Sequence, residues 1–134
     1  MKTLLTSLLL LALLGCRPKD DFQETLIGTW RLVELCKPVG PTCTQTRVPA
    51  DKGVFVAFTT RNEILEWYEN QDKKPVEYAF LGVGGTYRIE GKNLRIFPFL
   101  SSSTQGRLAE VISLTPQKLV MNPYGTGEYV FEKQ

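Results

Sequence analysis

From residue 16 onward, no window of this chain holds an apolar stripe of helical period for three turns. Short runs rich in Val, Ile, Phe, Tyr and Thr recur instead, cut by Gly, Pro and Asn. The runs read as strands over residues 27–36, 53–59, 63–68, 76–81, 85–90, 94–99, 107–114, 118–121 and 128–132. Residues 22–26 read as one short helical turn before the first strand. No strand–helix–strand unit is present, so a parallel sheet is excluded. The expected fold is all-β, with eight or nine antiparallel strands in sequence order. It either closes into an up-and-down barrel or stacks as a sandwich; short connections favour the barrel, because Greek keys need long crossovers.

Three connections are too long for hairpins: residues 37–52, 70–75 and 101–105. Gly91 in Glu90-Gly91-Lys92-Asn93 supplies the positive φ of a tight turn. The 53–59 run is apolar on both faces, with Val54, Val56 and Phe58 opposed to Phe55 and Ala57. Both sets cannot face one interior, so the N-terminal segment or a partner must cover one of them.

The first fifteen residues belong to a different solvent. Lys2 is followed by eleven residues, 4–14, of which eight are leucine, interrupted only by Thr6 and Ser7. That length suits the apolar region of a signal peptide and is too short to span a bilayer. Leu13-Leu14-Gly15-Cys16 resembles the bacterial lipobox, in which the cysteine becomes the first mature residue and carries acyl chains; an ordinary signal peptide ending near a cysteine is the alternative. Several acyl chains hold a protein at a membrane where one is marginal. Lys19-Asp20-Asp21 resembles the basic-then-acidic export tag of some Bacteroidetes lipoproteins, which favours the cell surface over the periplasmic face. The organisation read from this is a lipoprotein signal peptide over 1–15, a lipidated tether over 16–25 and a β-domain over 26–134. The expected location is the outer membrane, with the membrane itself as a partner through the anchor.

Loss of residues 1–15 leaves 119, enough for one domain with a modest core. Lys2 leaves with the leader, so 15 basic residues face 14 acidic ones, and no nucleic-acid partner is expected. Histidine is absent, which removes the usual general base and the commonest metal ligand. With Cys16 assigned to lipid, Cys36 and Cys43 remain, in Cys36-Lys37-Pro38-Val39-Gly40-Pro41-Thr42-Cys43. Outside the cytoplasm so close a pair is expected to oxidise to a disulfide stapling the first long loop. Half of a metal site is the competing reading, and no further cysteine or histidine exists to complete it.

Gly28-Thr29-Trp30 opens the first strand behind the helical turn. Tyr87-Arg88-Ile89-Glu90-Gly91-Lys92-Asn93-Leu94, then Ile112-Ser113-Leu114-Thr115, Lys118-Leu119-Val120 and Tyr129-Val130-Phe131 follow in order. This set resembles the lipocalin-like lipoproteins common in Bacteroidetes, over about residues 24–132. The resemblance implies a calycin-like barrel of about eight strands, with Gly28 and Trp30 at its closed floor, and it implies binding of a small apolar ligand. The chain departs from secreted lipocalins in being shorter and in stapling its first loop rather than its tail.

No catalytic residue, metal or cofactor is expected, and the chain does not read as an enzyme. The serines at 101–103 have no histidine to activate them. Glu63 and Glu66 are three apart on one strand and point to opposite faces, so they do not form a hydrolase pair. Glu66 shares parity with Ile64 and Tyr68 and is the better candidate for burial, with a solvated strand residue as the ordinary reading. Gly82-Val83-Gly84-Gly85 lacks the Lys and helix of a phosphate loop. With Trp30 at the floor, the open end is expected at the three long connections. Trp67, Tyr68, Tyr78 and Phe99 are then the candidate pocket residues. Two functions stay open: a small apolar ligand in the barrel, or docking of an envelope protein on the loops or an outer face. An open cavity favours the first, and a solid core with an exposed apolar patch favours the second.

Overall fold

The computed structural model describes residues 18–39, 42–70, 77–82, 84–123, 125 and 127–134. Cys16 and the 1–15 leader lie outside the described residues. The elements run α1 (Pro18–Leu26), β1 (Gly28–Val39), β2 (Thr42–Arg47), a 3₁₀ turn (Ala50–Lys52), β3 (Val54–Phe58), β4 (Glu63–Tyr68), β5 (Gly84–Glu90), β6 (Asn93–Pro98), β7 (Arg107–Leu114), β8 (Lys118–Pro123) and β9 (Glu128–Lys133). All neighbouring strands pair antiparallel. Strand β1 pairs with both β3 and β9, which closes β1 and β3 to β9 into an eight-stranded barrel. Closure removes the exposed edges an open meander would leave.

The inward set follows strand parity. Val54, Val56 and Phe58 of β3 are buried, as are Leu94 and Ile96 of β6 and Leu119 and Met121 of β8. The outward set of β3 is covered by its own neighbours. Phe55 stacks on Trp67, with ring centroids 5.7 Å apart and planes 10° apart, and Arg31 lies 5.5 Å from the Phe55 centroid.

Three expectations for the chain path are corrected. Residues 37–52 are not one long loop. Strand β1 continues to Val39 and β2 returns beside it, from Val39 opposite Thr42 to Glu34 opposite Arg47. The β-branched Val39, Thr42, Thr44 and Thr46 suit a ladder, and the reading of a loop gave too much weight to Pro38. Its tip passes the last rung to β9, where Cys36 meets Glu128. The expected strand at 76–81 is also absent. Residues 77–81 are turn and bend, and Val76 lies outside the described residues. The backbone donors of Phe80 and Leu81 go to a carboxylate instead of a ladder. The helix, in turn, begins four residues before the expected turn and takes up most of the stretch read as a tether.

The α1 end of the barrel carries the tight turns, including Gly91 at φ 63°. Trp30 is fully buried there, and its Nε1 donates to the Leu26 carbonyl at 2.8 Å. Gly28 has φ 131°, and a Cβ on it would sit 2.7 Å from Lys133 Cε, so only glycine leaves room for the lysine stem. The Gly28 and Trp30 side of the barrel is therefore closed by the helix, the first strand and the last strand together. Burial lowers the Lys133 ammonium below the usual lysine range.

Candidate functional site at the barrel mouth

The end opposite α1 gathers the long connections: the β1–β2 hairpin, the β4–β5 and β6–β7 connections, and the turn before β9. The wall between β4 and β5 is short. It has three rungs, ending where Leu65 meets Gly84. Above that point, among the described residues, Glu66, Trp67 and Tyr68 have no strand partner on the β5 side. The 80–82 segment fills the gap.

Glu66 organises that segment. It points inward, as its parity with Ile64 and Tyr68 requires. Oε1 accepts hydrogen bonds from the Phe80 N–H at 3.0 Å and the Tyr68 hydroxyl at 2.8 Å. Oε2 accepts from the N–H groups of Leu81 at 2.5 Å and Gly82 at 3.0 Å. Four donors match the accepting capacity of one carboxylate. The Tyr68 hydroxyl has a second, longer acceptor in the Gly82 carbonyl at 3.2 Å. Burial pushes the Tyr68 hydroxyl pKa well above its usual value, and the hydrogen bond to Glu66 and its negative charge add to this. The same charge reaches Tyr129, whose pKa is raised first by burial.

The latch holds Phe80 in the barrel. Its ring packs edge-on against Tyr129, 5.8 Å between centroids, and against Phe131 at 5.7 Å. Phe80 and Leu81 also form one side of an outer groove of about 540 Å³, whose other side is Pro98, Leu100, Ser101 and Arg107. The rim beside it is apolar and open: Phe99 is 59% exposed and Leu100 83%.

The four candidate pocket residues do not converge. Tyr68 points inward and holds Glu66. Tyr78 is half-buried against the core, with Lys52 Nζ 5.9 Å from its ring centroid. Phe99 points out at the rim. Trp67 stands on the outer wall, 39% exposed, because it alternates with Glu66 and Tyr68. It covers Phe55 there. Cys36 and Cys43 are joined by a disulfide across the β1–β2 hairpin, with Cα atoms 5.6 Å apart. Phe80, the residue that plugs the barrel, was not among the sequence candidates, although the parity of Glu66 pointed to the carboxylate that holds it.

A second groove, of about 650 Å³, lies at the α1 end between Phe22 and the Val111 to Leu114 stretch of β7. Among the described residues no group of three or more acidic or cysteine side chains is placed to hold a metal ion.

No family model and no curated protein matches the chain. Two solved structures are similar. One is an uncharacterized protein from Bacteroides eggerthii DSM 20697, with a TM-score of 0.58 and 21% identity over 81% of this chain and 99% of that one. The other is a lipocalin-like protein from Bacteroides uniformis ATCC 8492, with a TM-score of 0.45 and 13% identity over 82% of this chain and 99% of that one. At 21% identity the likeness to the first extends to the fold alone. By its own strand pairing the chain is an all-β barrel of eight antiparallel strands with a short helix before the first.

Proposed function

We propose that this is a lipid-anchored envelope protein that takes up a small apolar ligand through the barrel mouth. The observation carrying this reading is the gap in the wall above Leu65 and Gly84. A strand could have closed it; instead three residues hang on one carboxylate, with one aromatic ring as the plug. A ligand replacing that ring would lie against Tyr129 and Phe131, an apolar surface of the kind small-molecule sites use.

The anchor reading rests on the lipobox resemblance at Cys16. It fits the fold, since α1 begins two residues later and its Phe22 sits at the closed end. The mouth then faces away from the bilayer, toward whatever medium supplies the ligand. No chemical step belongs to this reading. The outer membrane is the location, and the cell surface is favoured by the Lys19-Asp20-Asp21 resemblance.

A second reading is docking of an envelope protein on the rim, favoured by the Phe80 ring filling the interior beside Tyr129 and Phe131 and by the exposure of Leu100 and Phe99. Native mass spectrometry of the protein purified from its own envelope separates the two. The ligand reading expects a mass increment of a few hundred daltons that is lost on organic extraction. A stoichiometric attached subunit with no small molecule contradicts it and supports docking.

A further inference from the structure

We propose that Glu66 is the headgroup site for the ligand, that the ligand is an amphiphile with an ammonium head, and that the 80–82 segment is its internal stand-in. This rests on the barrel-binding reading above and names the chemistry of that same site.

Glu66 is on the inner face of β4, between Ile64, which is fully buried, and Tyr68, which packs against the core. A carboxylate in such a place requires donors, because an ionised group taken from water is costly when unpaired. The four donors on it are all uncharged: three backbone amides and one phenol. Three of the four belong to the plug. When the plug leaves, Tyr68 alone remains on Glu66 from this set.

A ligand that displaces Phe80 must therefore do two things. Its apolar body must replace the ring that packs against Tyr129 and Phe131. Its polar end must replace three N–H donors at one carboxylate. An alkylammonium does both, with three donors and an opposite charge. An alcohol brings a single hydroxyl donor. A fatty-acid carboxylate sets a second negative charge against the first. Arg107 lines the groove on the outer side of Phe80 and Leu81.

The test uses fluorescence of N-phenyl-1-naphthylamine, an uncharged apolar probe, on the purified protein. The probe is displaced with dodecylammonium, dodecanol or dodecanoate below their micelle concentrations. Dodecylammonium should displace it at a concentration at least about tenfold lower than dodecanoate, with dodecanol between. Phe80→Ala should strengthen binding of all three and keep the order. Glu66→Gln should remove the order, while Tyr68→Phe, which keeps the charge and loses one donor, should retain it. Circular dichroism on each variant shows whether the barrel is intact. Dodecanoate binding as well as dodecylammonium in wild type and Phe80→Ala overturns the headgroup assignment and leaves the barrel-binding reading standing. So does an unchanged order in a folded Glu66→Gln. If the probe binds neither wild type nor Phe80→Ala, the barrel-binding reading falls, and this inference with it.

Discussion

The Lys133 ammonium lies 4.4 Å from the centroid of the Trp30 ring and donates hydrogen bonds to the carbonyls of Thr25, at 2.9 Å, and Ile27, at 2.5 Å. One side chain from the end of the chain thus ties the helix terminus, whose carbonyls have no partner within the helix, to the first strand. Trp30→Ala removes the largest fully buried side chain and should cost about 3–5 kcal/mol. Lys133→Met keeps the stem and removes the donors, and should cost roughly 1–3 kcal/mol by leaving two carbonyls unpaired. Gly28→Ala should reproduce the lysine defect, because its Cβ takes the space of Lys133 Cε. Urea unfolding gives all three values. A loss below about 1 kcal/mol for Trp30→Ala would show that the floor does not carry the fold.

The disulfide staples a hairpin whose tip stands beyond the rim, so it should contribute little to closure. Cys36→Ser with Cys43→Ser should leave the β signal in far-UV circular dichroism intact and cost about 1–3 kcal/mol. Collapse of that signal would mean the hairpin holds the barrel shut. Cys36 is itself buried beside Glu128, which makes it the costlier of the two to replace.

Alkaline pH should act through three tyrosines. Burial raises the pKa values of Tyr68, Tyr87 and Tyr129, and the Glu66 charge adds at Tyr68 and Tyr129. The folded chain keeps these protons where the unfolded chain releases them, above about pH 10. Their stabilising contribution is whole below that pH and is lost as pH climbs from there toward the folded values. Tyrosinate absorbance should therefore rise in two stages, the later one together with unfolding. Simultaneous ionisation of all five tyrosines in a native-like protein would contradict the burial assigned to these three.

Cys16→Ser should release the protein from the membrane fraction, since no segment after the leader is apolar and long enough to hold it there. Retention on the membrane after a high-salt wash would refute the anchor. Protease treatment of intact cells then reads the leaflet: digestion fits surface display, and protection fits the periplasmic face.

Much of the barrel could be read from residue order, because strand parity is a local property. The two opposed sets of β3 and the shared face of Ile64, Glu66 and Tyr68 follow from period-two alternation, and the turn at Gly91 follows from its need for a positive φ. The mouth could not be read in the same way. Residues 76–81 have the composition of a strand, but the amides of Phe80, Leu81 and Gly82 go to a carboxylate fourteen to sixteen positions earlier instead of to a ladder. Composition carries no trace of such a non-local competitor. Trp67 shows the complementary limit. An aromatic beside a long connection suggests a pocket, yet its neighbours Glu66 and Tyr68 already hold the inner face, so alternation sends it outside to cover Phe55.

The central claim is that the 80–82 segment yields its place to a ligand. Hydrogen exchange of the backbone amides of Phe80, Leu81 and Gly82, followed by NMR with and without saturating N-phenyl-1-naphthylamine, tests it most directly. All three are hydrogen-bonded to Glu66 in the closed barrel and should be slow to exchange. On ligand binding they should become fast together, while the Trp30 amide in the β1 ladder stays protected. Unchanged protection at 80–82 in a protein that binds the probe, with shifts at Phe55 and Trp67 instead, would place the binding surface on the outer wall and contradict the account.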